Sequence, residues 1–262
     1  RVLLEADLGK PGKATVEAYG IRIDQVDKKL QGVLRLSLSL ENETAGASGS
    51  LSLEAKGLTL PWARRPIEKL TAFLALSGTP EHLDLTEIVL KTPLVTVSGK
   101  GLLSGAKNLG AWRDANVWLN LSSSDFDYEP MVSMLPVNRF PDWLKKLLTS
   151  EIRRGKSRFS LARYSGPVMG FFSGEALMKN LTVVQDLKGQ SFSHGRSPER
   201  VTGITGKVIY RAGDIELQNL SGIMGKSRVN RVNLIFHDVA KPFMKLTGNA
   251  DLDMPAPDFL RT

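Results

Sequence analysis

The sequence predicts an all-β fold of antiparallel strands. Three observations carry the prediction: apolar residues alternate with polar ones through most of the chain, turn residues interrupt that alternation at short intervals, and one long stretch alone has helical spacing. The 262 residues are 42% hydrophobic and 24% charged, the make-up of a folded chain that can bury a sizeable core.

The alternation runs through Leu34, Leu36, Leu38 and Leu40, separated by Arg35, Ser37 and Ser39. Leu51 and Leu53 follow, then Leu83 and Leu85, Val95 and Val97, Val117, Leu119 and Leu121, Ile215 and Leu217, and Val232, Leu234 and Phe236. A period of two puts each set on one strand face and turns the intervening Ser, Asn, Arg and Asp the other way. A sheet with one apolar and one polar face suits antiparallel pairing. Turns are expected at Glu41-Asn42-Glu43, Ser77-Gly78-Thr79-Pro80, Lys91-Thr92-Pro93, Ser104-Gly105, Ala212-Gly213-Asp214 and Lys241-Pro242. Glycines inside strands, at Gly99, Gly101 and Gly203, mark bulges or bends.

Between Pro141 and Ile152 the apolar positions are 143, 144, 147, 148 and 152, which is helical spacing. Pro141 and Asp142 suit a first turn, and Gly155 suits a stop. One amphipathic helix is therefore expected near 141–153, with Trp143, Leu147 and Leu148 packed on the sheet. A shorter helical turn is expected at residues 66–70.

Composition narrows the function. Cysteine is absent, which removes disulfides, thiolate metal sites and a cysteine nucleophile. Lys and Arg number 35 against 27 Asp and Glu, a net charge of +8 that suits a polyanion or anionic lipid surface without choosing between them. Much of the excess lies at Lys145, Lys146, Arg153, Arg154, Lys156, Arg158 and Arg163, opposed by Glu151. Aromatics are 7% and scattered, with no basic stacking platform, so nucleic acid is not an expected partner. No apolar run reaches the roughly 20 residues of a membrane-spanning helix. The chain reads as a piece of a longer protein, starting at Arg1 and ending after Pro255-Ala256-Pro257.

Catalytic constellations are scarce. His82, His194 and His237 stand alone and are expected at the surface or in loops, without metal. Asp125 with Asp127, and Asp251 with Asp253, each place two carboxylates on one strand face, where solvated side chains are the expected state. Ser104-Gly105-Ala106-Lys107 has the Ser-x-x-Lys spacing of penicillin-binding enzymes but lacks the companion motifs. Gly155-Lys156-Ser157 and Gly225-Lys226-Ser227 end like a phosphate-binding loop, but Ser150 and Leu220 stand where its first glycine belongs. No enzyme activity and no cofactor are expected.

An internal repeat is visible. Leu83-Asp84-Leu85-Thr86-Glu87-Ile88 matches Ile215-Glu216-Leu217-Gln218-Asn219-Leu220, and Val97 and Leu102 match Val229 and Leu234, each pair 132 positions apart. Modules of this kind stack edge to edge and share a continuous core.

Leu135-Pro136, then Phe140-Pro141-Asp142-Trp143-Leu144, Leu147-Leu148, Gly155 and Ser165-Gly166 form a progression that resembles the AsmA-like envelope proteins, especially the large YhdP-type members. The unit from Val201-Thr202-Gly203 into Ile215-Glu216-Leu217-Gln218-Asn219-Leu220-Ser221-Gly222, and the ending Leu246-Thr247-Gly248-Asn249-Ala250-Asp251-Leu252-Asp253, are similar to that family's recurrent strands. The resemblance covers residues 135–253 best and is weak before Leu60. It implies a long, curved antiparallel sheet, a repeating β-groove, whose apolar concave face carries phospholipid between the inner and outer membranes. It also implies a periplasmic location, in a protein anchored in the inner membrane of a diderm bacterium.

A sheet with one apolar face must cover it. Such a sheet either folds back into a sandwich or curls into a trough, and with the resemblance the trough is the expectation. Its lining is assigned to Leu83, Leu85, Val95, Val97, Val117, Leu119, Leu121, Ile215, Leu217, Val232, Leu234 and Phe236, with phospholipid acyl chains as the partner. The units are placed at residues 1–139 and 140–262. The alternative is a structural or adhesive β-sandwich module that binds a polyanion or a protein through its basic surface.

Overall fold

A computed structural model describes residues 2–6, 13–22, 31–43, 46–59, 66–79, 81–105, 112–134, 142–171, 173–193, 200–239 and 245–253. The fold is all-β, an open antiparallel sheet with a few short helices. Contacts divide the chain into two compact units: unit 1 is residues 1–123 with 163–177, and unit 2 is residues 124–162 with 178–262. The division falls at 123/124, whereas the sequence places it at 139/140, and a short segment returns to unit 1.

In unit 1 eight strands lie side by side in chain order: β1 (Val2–Ala6), β2 (Lys13–Arg22), β3 (Gln31–Glu43), β4 (Gly46–Thr59), β5 (Ile67–Thr79), β6 (His82–Lys91), β7 (Thr96–Ser104) and β8 (Asn116–Ser123). Consecutive antiparallel strands need only short connections, which is why the turn signals are so frequent. Glu41-Asn42-Glu43 is not a turn. It continues β3, opposite Ser48, Ala47 and Gly46. Residues 66–70 are not helical either. Ile67 opens β5, and Leu70 lies opposite Ala55, so the sheet ladder takes the backbone bonds a helical turn would use.

Unit 2 contains β9 (Phe126–Asp127), β10 (Ile152–Arg153), β12 (Leu181–Phe192), β13 (Val201–Arg211), β14 (Asp214–Met224), β15 (Ser227–His237) and β16 (Lys245–Asp253). The strand β11 (Lys156–Pro167) contributes its first part to unit 2 and its last residues to unit 1. The order β12-β13-β14-β15-β16 again follows the chain. Ala212 and Gly213 join β13 to β14 with φ of 49° and 96°, the left-handed pair that a two-residue hairpin loop demands. Lys241-Pro242 lies outside the described residues.

The expected helix is present but broken. Asp142–Lys146 forms one short α-helix, Leu147–Glu151 a single π turn, and Ile152 already belongs to β10. The π turn packs on β10, which pairs with β12, and on the helix Tyr128–Val132, and Tyr128 donates its hydroxyl to Leu148 O at 3.3 Å. The side chains of Trp143 and Leu144 lie outside the described residues. Four helical elements lie beyond the sequence expectation: a 3-10 turn at Trp112–Asp114 and three helices, Tyr128–Val132, Val168–Phe171 and Gly174–Asn180.

Glycine acts differently from expectation at two of the three marked positions. The ladder between β7 and β8 is regular through Gly99 and Gly101, and the bulge lies on β6, between Leu85 and Ile88. Gly203 does sit in an irregular stretch of β13, with φ 64°.

Candidate functional site

Register decides which side chains share a face, because residues directly opposite in an antiparallel pair point the same way. In unit 1, Leu83 lies opposite Leu103 and Leu103 opposite Val117. Leu85, Gly101 and Leu119 form the next row, and Ile88, Gly99 and Leu121 the one after. Leu90 and Val97 close the series opposite Ser123. Five of the assigned residues and Val97 thus stand together on one face. Val95 does not: it is buried in the turn before β7. Its amide donates to Thr92 Oγ1 at 3.1 Å, and its carbonyl accepts from Thr92 N at 2.9 Å. Pro93 has no N–H to offer a ladder, so the turn runs to Val95.

The glycines bring the leucines together. A Cβ on Gly101 would lie 2.8 Å from Leu119 Cδ2 and 3.2 Å from Leu85 Cδ1, and one on Gly99 2.9 Å from Leu121 Cδ2. Leucines of β6 and β8 therefore lie over the bare backbone of β7. The same face continues through residues the sequence assignment omitted. Leu76 and Leu74 of β5 lie opposite Leu85 and Ile88, Leu51 and Leu53 of β4 opposite Leu74 and Ala72, and Leu38 and Leu36 of β3 opposite Leu51 and Leu53. Those on β3 and β4 alternate openly in the sequence. Those on β5 are hidden because Phe73 and Ala75 make the opposite face apolar too.

Unit 2 has a second such face. Val183, Tyr210, Ile215, Phe236 and Leu246 form one cross-strand row. Gln185, Val208, Leu217, Leu234 and Gly248 form the next. Leu220 and Val232 then pair beyond a bulge at Gln218 and Asn219, where Asn219 has φ 50°. All five residues assigned here, Ile215, Leu217, Val232, Leu234 and Phe236, share the face.

The decisive property of both faces is partial exposure. The buried hydrophobic residues among those described are Ala18, Ala55, Ile67, Val95, Ala115, Phe126, Tyr128, Tyr164, Val168 and Val239. Apart from Val95, every assigned lining residue is half-buried instead. A closed sandwich would take these large aliphatic side chains out of water. The described residues of the unit 1 face carry no charge. At one end β7 and β8 are covered: Val168 packs with Ala115 against Leu103 and Val117, held by a 2.9 Å bond from Val168 N to Ala115 O.

The face of unit 2 has a polar inclusion. Gln190 and Ser157 are buried at 1% and 0% exposure. Both Gln185 and Gln190 donate to Ser157 Oγ, and Gln190 Oε1 has no partner. The opposite face is ionic. Asp186 accepts from Arg158 at 2.8 Å and lies 3.8 Å from Lys207 Nζ, and Asp125 accepts from Lys188 at 2.7 Å. That hydrogen bond is the first cause of a lowered Asp125 pKa. Lys146 lies 3.5 Å from Glu151, so part of the basic run is paired.

The histidines divide. His82 is exposed, as expected, and His194 lies outside the described residues. His237 instead sits half-buried in β15, 3.2 Å from Asp214 Oδ2 and 3.0 Å from Thr247 Oγ1. Asp251 and Asp253 lie opposite Arg231 and Arg228. Among the described residues no cluster of His, Asp or Glu could hold a metal ion, and no helix is long and apolar enough to cross a membrane.

No protein-family model, curated protein or solved structure matches this chain.

Proposed function

We propose that the chain is a segment of a lipid-transport bridge of the AsmA-like kind, carrying phospholipid acyl chains along its apolar faces between inner and outer membranes. The reading includes a periplasmic setting, in a protein anchored in the inner membrane of a diderm bacterium, and no covalent chemistry. The observation that supports it is the row-by-row aliphatic face that stays half-exposed instead of forming a closed core.

Magnitudes favour reversible holding over permanent capture. An acyl chain of about sixteen carbons with half its surface covered gains roughly 6 kcal/mol. Association costs at least about 4 kcal/mol. A phospholipid carries two such chains and meets that cost once, so at most about 8 kcal/mol remains, near micromolar binding. Aliphatic lining also makes few directional demands, so a chain can shift along it.

The test is native mass spectrometry with lipid extraction on protein purified under mild conditions. Phospholipid should co-purify, and Leu119→Asp or Leu217→Asp should abolish it while circular dichroism stays unchanged. A lipid-free monomer that also refuses added phospholipid would overturn the reading.

A further inference from the structure

An amphiphile on the unit 1 face can lie either way along the strands, and two independent features choose. The choice rests on the lipid-carrying reading above. The first feature is the stop at one end: Val168 covers Leu103 and Val117, so a chain lying along β7 and β8, beside Lys91 of β6 at their far end, meets a side-chain wall there. Val168 is 9% exposed and fixed through its backbone, a plug rather than a flap.

The second feature is charge. Among the described residues, Glu41, Glu81, Asp84 and Asp114 stand at the plugged strand ends, against Lys13, which lies opposite Glu41, and Arg113. At the other ends stand Arg35, Lys56, Lys69 and Lys91, against Glu54 and Glu68. Lys56 lies directly opposite Lys69, and Lys91 lies opposite Thr71, two residues along β5 from Lys69. The side chains of Lys56 and Lys69 are 71% and 59% exposed, and among the described residues Glu54 lies near both, at 3.7 and 3.5 Å. These lysines emerge on the polar side of the strand ends, and their long stems can reach over the rim.

We infer that unit 1 holds a phospholipid of net negative head group in one orientation, tail ends against Val168 and head group at the Lys56, Lys69 and Lys91 rim. A methyl terminus needs no polar partner and fits a valine wall. An anionic head at the acidic end meets repulsion, and at the lysine end attraction.

Two photoactivatable phosphatidylglycerols test this, one with its diazirine at the tail terminus and one with it beside the glycerol. Crosslinked peptides are mapped by mass spectrometry. The terminal probe should label peptides holding Leu103, Val117 or Val168. The glycerol-proximal probe should label those holding Leu70, Leu90 or Lys91. Lys56→Glu, Lys69→Glu and Lys91→Glu together, all at exposed positions, should weaken phosphatidylglycerol about tenfold and leave phosphatidylcholine unchanged. Raising salt should do the same to the unaltered protein. Reversed labelling, or the same peptides from both probes, overturns the orientation while leaving the apolar face as a lipid site. No labelling by either probe sinks the lipid reading as well.

Discussion

Single residues separate an open apolar face from a closed core. Leu119 is half-buried, whereas Phe126 and Tyr164 are 4% and 2% exposed. Leu119→Ala should therefore cost only about 1 kcal/mol, and Phe126→Ala about 3–5 kcal/mol, in urea unfolding. A Leu119→Ala cost near the core value would mean the face is covered. Gly101→Val should cost about 1–3 kcal/mol by overpacking, since its Cβ would stand 2.6 Å from Trp118 O. Tyrosines supply the pH test. Burial raises the pKa of Tyr128, Tyr164 and Tyr210 above the ordinary 10.0. Their contribution is complete below pH 10.0 and is lost as pH rises through the folded values. Alkaline unfolding should start above that pH, and Tyr128→Phe should move its midpoint upward.

Elements show where sequence reasoning reached and where it stopped. Strands with polar residues between their leucines, such as β3 and β8, are legible because period two survives in the sequence. The strand β5 is not, because Phe73 and Ala75 fill the positions that would have marked its second face. Phe73 lies opposite Val89, so the opposite face of unit 1 has its own small apolar patch. Val95 was misplaced for a local reason: the Thr92 side chain caps a turn longer than the Lys91-Thr92-Pro93 signal suggests. The helix Gly174–Asn180 carried a usable sign, Ser173 before a run of good helix formers, with Leu177 N bonded to Ser173 O at 2.8 Å. On the ionic face of unit 2, Asp186→Ala should cost about 1 kcal/mol, because Arg158 and Lys207 are half in water. The loss should shrink in high salt.

For the whole molecule, the all-β class was readable from alternation alone, and eleven of the twelve assigned lining positions fall on the two shared faces. What the sequence could not supply is coverage, since a Leu-x-Leu strand reads identically under a second sheet or under solvent. Half-exposed aliphatic rows predict that the native protein binds a polarity-sensitive dye such as ANS without denaturant. Added phospholipid should then displace the dye. Absence of dye binding by the folded chain would point to a buried core.

The bulges have a consequence for how such a chain can change length. In β6, Leu85 and Ile88 are three apart yet share a face because two residues between them oppose one position of β7. In β14 the same holds for Leu217 and Leu220, 132 positions on. Removing one residue elsewhere in either strand inverts every side chain beyond it. Removing Glu87, or Asn219, only turns a spacing of three into a spacing of two, and every leucine keeps its side. These are the places where a strand can gain or shed a residue without turning inside out, an expansion joint written into the repeat.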